Sequence, residues 1–343
     1  PTRFVAADCA HPPELWGAER AYYVINLTDS SNVELRCLEI TDHAGCVEFH
    51  SGGLACERDS YPFGDWASTG LYAEDSANVH LSQIDIHGLA SAGVHAGRLT
   101  DWTLENVRIA ANGWVGWDGD LPDDDSNSGS LRFTRVTIEW NGCAETYPGE
   151  EPAGCWAQSA GGYGDGLGTG DTGGDWYFTD CAFLHNTSDG LDLLYHSLGG
   201  EIHLDRVRAE GNAGNPIKVT GQAWITNCLI AANCAYFEGQ PFTYNVDPCR
   251  AMGNALSLSF MGGETVRLTH STLYGQGDGL IGAGPRDAAP PGAPGAPPSR
   301  WRRLEDDAPS RLEDGAPSAL AGCSGGERII ARNNLLLGGE EYL

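Results

Sequence analysis

The chain has 343 residues, 41% of them hydrophobic and 9% aromatic, which is enough material for a sizeable buried core. Twenty Lys plus Arg against 47 Asp plus Glu give a formal net charge of -27, which argues against nucleic acid or an anionic membrane surface as partner. The same charge opposes a polyanionic substrate unless cations reverse the field locally.

Residues 1–21, with the run HPPELWGAER, are expected to cover the open N-terminal end of a stack of repeats that begins at Tyr22. From Tyr22 onward one unit recurs: a short strand, a polar turn with Asn or Asp, a Gly and another short strand. Seven such units align on inward anchors that include Ile84, Val107, Val136, Cys181, Val207 and Cys228, which lie 23, 29, 45, 26 and 21 residues apart. A coil of about 21–29 residues with one long insertion explains those gaps. Apolar residues alternate in runs of four to six, broken by glycines that number 47 in all, so a helical reading fails. A β-sandwich would not explain similar segments at a fixed offset from an Asn, whereas parallel stacking would. The prediction is an all-β chain, a single domain over 1–343 built as a right-handed parallel β-helix of about ten coils.

Asn112, Asn141, Asn186, Asn212 and Asn233 each follow an anchor by five residues and are expected to sit in left-handed turns and bond from coil to coil. Of eleven cysteines, Cys46 with Cys56, Cys143 with Cys155 and Cys234 with Cys249 are spaced as disulfides closing loops, while Cys37, Cys181 and Cys228 fall at inward positions and read as core. No CxxC or Cys/His cluster suggests zinc. The acidic run at 117–129 lacks EF-hand spacing and reads as a solvated turn. Residues 282–326, rich in Pro, Ala and Gly, read as a flexible insertion, after which RIIARNNLLLGG resumes the coil. There is no apolar run of transmembrane length, and Pro1 opens without a signal peptide. Together with the cysteines this predicts an exported chain, secreted, periplasmic or at the cell surface, acting as a monomer.

The most informative stretch runs from Gly164 to Gly221, where GDGLGTG, NTSDGLDLLYH and GNAGNPIKVTG repeat one pattern. Asp165, Asp189 and Asn215 share one position, and Gly168, Asp192 and Lys218 the position three later. Strand alternation then turns Leu191, Leu193, Ile217 and Val219 inward and Asp192 and Lys218 outward. Coils stacked at roughly 4.8 Å bring Asp165, Asp189 and Asp192 close enough to share a hard cation, calcium, with Asp171 or water completing its shell. Lys218 is the one lysine beside nineteen arginines, which suggests a task a guanidinium does badly, such as giving up a proton to become a base. Three carboxylates and one amine suit β-elimination from a uronic acid, in which a metal acidifies the C5 proton and a neutral lysine removes it.

Those three segments resemble the calcium-binding DG and DGxDL segments and the lysine-bearing segment of the parallel β-helix pectate lyases, most closely polysaccharide lyase family 9. The resemblance covers roughly residues 160–260 and departs at Ser188, where the family has a second adjacent Asp. It implies calcium at Asp165, Asp189 and Asp192, Lys218 as the Brønsted base and an acidic, pectate-like polysaccharide as substrate. Arg250 is the candidate for holding the substrate carboxylate. Two other readings share the fold. One is a polygalacturonase-type hydrolase, for which no adjacent Asp pair or Gly-His-Gly segment is found. The other is a non-catalytic glycan-binding β-helix with Trp114, Trp117 and Trp140 as its platform.

Overall fold

The structure, a computed structural model, describes residues 2–17, 21–45, 48–49, 53–54, 66–119, 121, 126–145, 150, 154–156, 164–245, 249, 253–277, 279–285 and 326–338. Alternating apolar and polar residues make short strands, and because each strand leads into a turn rather than a hairpin, its partner is the equivalent strand one coil on. Nine such strands, from Tyr23–Asn26 to Ile281–Pro285, stack in chain order as one parallel sheet. The remaining coil strands form a seventeen-stranded parallel sheet folded along its length. The fold line is marked by one left-handed residue per coil, including Gln83, Asn106, Arg135, Asp180, Arg206 and Asn227, with φ between 52 and 58°. The chain is therefore a parallel β-helix, with one single-turn 3-10 helix, Cys234–Phe237, as the only helical element among the described residues.

The anchors behave as their spacing requires: Ile84, Val107, Val136, Cys181, Val207 and Cys228 are all buried, and Cys181 and Cys228 carry free thiols. Cys37 is fully buried too, but it is not one of the anchors. Leu38 is the residue in register with Ile84, so Cys37 occupies the left-handed bend position one earlier, with φ 59°, and is bonded to Cys9. A core cysteine was expected there, and the side chain is out of solvent, but as a half-cystine at the bend and not as a free thiol in an anchor position. Pairs Cys143–Cys155 and Cys234–Cys249 are disulfides, while Cys46 and Cys56 lie outside the described residues. The two bridged insertions do not project separately. Strand Cys155–Trp156 pairs with Thr243–Asn245, and Trp140, Phe237 and Phe242 pack together beneath them.

The N-terminal segment extends the stack as well as covering it: Thr2–Val5 and Glu14–Trp16 both pair in parallel with Ser31–Thr41. At the other end Arg328–Arg332 and Leu335–Leu337 resume the coil against Thr265–Thr269 and Thr272–Gly275. Of the sequence between, residues 286–325 lie outside the described set, and the start of the expected insertion, Gly282–Pro285, belongs to a strand. Midway along, Trp102, Trp117, Phe133, Trp176 and Phe178 fill the interior in stacked and edge-on contacts, such as Phe133 on Phe178 at 4.7 Å. Trp117 is thus a core residue, and Trp140 is covered by the insertions, so neither offers the exposed ring that a glycan platform needs.

One interior row is polar. Asn112 Nδ2 donates to Asn141 Oδ1, Asn141 to Asn186 and Asn186 to Asn212, each at 2.9 Å, and all four residues are fully buried. The left-handed residue of these turns is the one before each Asn, namely Ala111, Trp140, His185 and Gly211. The asparagines themselves are freed to satisfy backbone groups at a corner where the sheet ladders stop. Asn186 Nδ2 also reaches the Ile138 carbonyl at 3.2 Å, and its Oδ1 receives the Asn141 amide at 3.2 Å. Replacing Asn186 by Ala strands several of these groups, each costing roughly 1–3 kcal/mol. Denaturant unfolding of Asn186→Ala is expected to show a loss of at least ~2 kcal/mol.

Candidate active site

Three successive strands of the nine-stranded sheet, Leu167–Thr169, Leu191–Leu193 and Ile217–Thr220, carry the repeated segments. Gly168 is in register with Asp192, and Asp192 with Lys218, while Leu191, Leu193, Ile217 and Val219 are fully buried on the inner face. The turn residues stack in the same way. Asp165 Oδ1 accepts the Asp189 amide at 2.9 Å, and Asp189 Oδ1 accepts the Asn215 amide at 2.6 Å. Gly214 makes the second contact possible, since a Cβ there would meet Asp189 Oδ1 at 2.2 Å.

Asp165, Asp189 and Asp192 each present a carboxylate oxygen within 4.8 Å of the others, all three being buried. Lys218 Nζ lies 2.6 Å from Asp189 Oδ2 and 3.1 Å from Asp192 Oδ2. Burial alone pushes its ammonium down, but Asp189, Asp192 and Asp165 outweigh that and hold it above the ordinary lysine value. Burial, then Asp189 and Asp192, push the Asp165 carboxyl up to about 7, against the pull of Lys218 and a hydrogen bond from Ser188. Asp192 is likewise raised by burial in spite of the Lys218 charge beside it. Ser188, the departure from the pectate lyase pattern, is thus a neutral donor to Asp165 and brings no fourth charge.

When all three carboxylates are ionised, as they would be on binding a cation, one ammonium leaves two negative charges in a buried, oxygen-only donor set, which fits a hard dication. Asn215 adds a further oxygen that sequence reasoning placed in the row without assigning it a role. Its Oδ1 is buried and has no hydrogen-bond partner among the described residues. Asp171 stands apart, exposed and accepting from Ser197 Oγ at 3.0 Å, and so does not join the cluster. Arg250 lies outside the described residues. The outward row continues toward the N-terminus through Asp118, His95 and Tyr72, each in register with the next. His95 Nε2 is 3.7 Å from Asp118 Oδ2 and its ring packs edge-on against Tyr72. Strand parity alone carries that row, because each residue stands at the same alternation phase as Asp192.

No family model matches the chain, and no curated protein matches it. Among solved structures a crystal structure of pectate lyase Pel9A matches with a TM-score of 0.38 and 13% identity, over 79% of this chain and 59% of that one. The chain therefore spans less than two thirds of the length of that structure's chain.

Asp165 determines a pH response in the cation-free protein. Its folded value near 7 lies above the ordinary 3.8, so its contribution to stability is most favourable below pH 3.8 and is lost as pH rises to about 7. Thermal unfolding in chelator is expected to show stability falling across that window, and Asp165→Asn should flatten the fall. An unchanged profile in the variant would place the titration elsewhere.

Proposed function

We propose that the chain is an exported lyase that cleaves a uronic-acid-containing, pectate-like polysaccharide by calcium-assisted β-elimination with Lys218 as the base. The observation that carries this reading is the register of Asp192 with Lys218, which sets one amine against three buried carboxylates on the outer face of adjacent coils. Disulfides suit an oxidising compartment. No helix among the described residues is long and apolar enough to cross a membrane.

Asp165, Asp189 and Asp192 would hold the calcium. When bound there it would neutralise the site, draw in the substrate carboxylate and acidify the C5 proton. The net charge of -27 makes that neutralisation a condition for approach of a polyuronate rather than a refinement. Lys218 is kept protonated by Asp189 and Asp192 in the cation-free arrangement. With those carboxylates engaged as ligands, their hold on the amine's proton would weaken, and burial would favour its neutral form. Lys218 Nζ would then take the C5 proton as the C4–C5 double bond forms and the C4–O bond breaks, its electron pair leaving on the departing chain's oxygen, which takes a proton from water. The row of Tyr72, His95 and Asp118 extends the same face and offers polar groups along which further sugar units would lie, the Tyr72 ring itself being stacked on Tyr23 at 4.2 Å.

Incubation with a panel of polyuronates, read by the absorbance of unsaturated products, tests the reading directly. Lys218→Arg keeps the charge but not the base and is expected to lose on the order of 10²- to 10⁴-fold in rate. Asp189→Ala with Asp192→Ala should abolish calcium binding in calorimetry, and chelator should abolish turnover of the parent. New reducing ends without unsaturated product would mark a hydrolase, and near-normal turnover by Lys218→Arg would remove the lysine from the mechanism.

A further inference from the structure

A second cluster of metal-ligating side chains is separate from the carboxylate site: His43, His87 and Glu145, with one ligand atom of each within 4.8 Å of the others. His43 is the left-handed residue, φ 51°, of the turn after Ser31–Thr41, and His87 ends the strand Ala77–His87 of the next coil. Glu145 arrives from the insertion, two residues beyond Cys143, and its amide donates to the Ala44 carbonyl at 3.4 Å. Its carboxylate uses space that a glycine leaves open. A Cβ on Gly88, which has φ +63°, would lie 3.0 Å from Glu145 Oε1 and 3.1 Å from His43 Cα.

Glu145 Oε1 is 2.5 Å from His43 Nδ1 and 2.9 Å from His87 Nδ1, so both imidazoles aim the same nitrogen at one oxygen. Their other nitrogens also face carboxylates. His87 Nε2 is 2.8 Å from Glu39 Oε1, and His43 Nε2 is 3.5 Å from Glu14 Oε2. An imidazole that donates Nε2–H to a carboxylate keeps a lone pair on Nδ1. Two such lone pairs and a carboxylate oxygen then converge, with the Thr41 hydroxyl 3.5 Å from His87 Nδ1 beside them, and positive charge between them would relieve their repulsion. That charge is either two protons or one metal ion. Two imidazoles and one carboxylate are zinc's donors rather than calcium's, and a carboxylate behind a ligating histidine is the usual outer shell.

We propose that His43, His87 and Glu145 form a zinc site, with Glu39 and Glu14 orienting the two imidazoles, that staples the first two coils to the Cys143 insertion. Zinc–ligand bonds of roughly 2.0–2.2 Å separate tetrahedral ligands by about 3.3 Å, so the two nitrogen–oxygen distances need open by less than an ångström. His87 is 1% exposed while His43 and Glu145 are 23% and 15% exposed, which places the ion at the edge of the stack with a route in from solvent. Binding to the folded chain alone would stabilise it by mass action.

The test uses the whole chain, stripped with chelator and then titrated with zinc while calcium is kept in excess to fill oxygen-only sites. One equivalent of zinc, a tetrahedral absorption spectrum with cobalt in its place and a higher unfolding temperature are expected. His43→Gln and Glu145→Gln, both at partly exposed positions and so tolerable to folding, should each abolish the cobalt spectrum and the thermal shift. Glu39→Gln should weaken zinc by about 10- to 100-fold. Circular dichroism of each variant separates loss of the ion from loss of the fold. Absence of stoichiometric zinc in the parent, or undiminished zinc in folded His43→Gln and Glu145→Gln, would overturn the site and leave two protons in its place.

Discussion

Parallel stacking at a spacing of roughly 4.8 Å is the constraint on which everything else rests. It gives each outward residue two neighbours of the same row, one coil above and one below, at a distance where charge, ring faces and hydrogen bonds all act. The strand at Leu191–Leu193 has no choice about meeting Leu167–Thr169 and Ile217–Thr220, because its amides and carbonyls have no other partners. Chemistry therefore comes in rows, and a row can be built only of residues that tolerate their own neighbours.

Acidic rows show how the chain meets that condition in a molecule of net charge -27. Asp85 stands between Glu39 and Arg108, and Arg108 reaches both Asp85 at 3.3 Å and Glu139 at 2.8 Å, so one guanidinium answers several carboxylates. Asp180 is answered by Arg206 in the next coil, and Asp75 by Arg98. At the carboxylate site the answer is incomplete. Lys218 supplies one positive charge to three buried carboxylates, so burial, joined by their mutual repulsion, raises Asp165 and Asp192. A surplus that is buried rather than solvated is what separates this cluster from the ordinary acidic surface.

Ring rows obey the same rule with a different outcome. Arg132, Tyr177, His203, Trp224 and Arg267 are in register on five consecutive strands, with His203 stacked on Trp224 at 4.6 Å and a guanidinium over each end of the row. Those ring faces are spent on one another, so a row of aromatics on this fold is a stabilising strip before it is a binding surface.

Strand alternation, the recurrence of about 21–29 residues and the buried Asn ladder were legible in the sequence, because period and turn chemistry are local properties that stacking only multiplies. Asp165, Asp189, Asp192 and Lys218 were legible for the same reason: they repeat within one segment, so aligning the segments aligns the coils. Contacts that cross the insertions were not. Glu145 meets His43 and His87 because a disulfide-closed loop folds back over turns that precede it by 102 and 58 residues, and no period in the chain connects them. Cys37 looked like an anchor until register with Ile84 put it one residue early, at a bend where the partner is Cys9. What repeats along the chain was decided by the sequence itself, through the fixed geometry of the coil. What the irregular loops bring together was decided only in three dimensions, since loop closure depends on packing and hardly at all on sequence spacing.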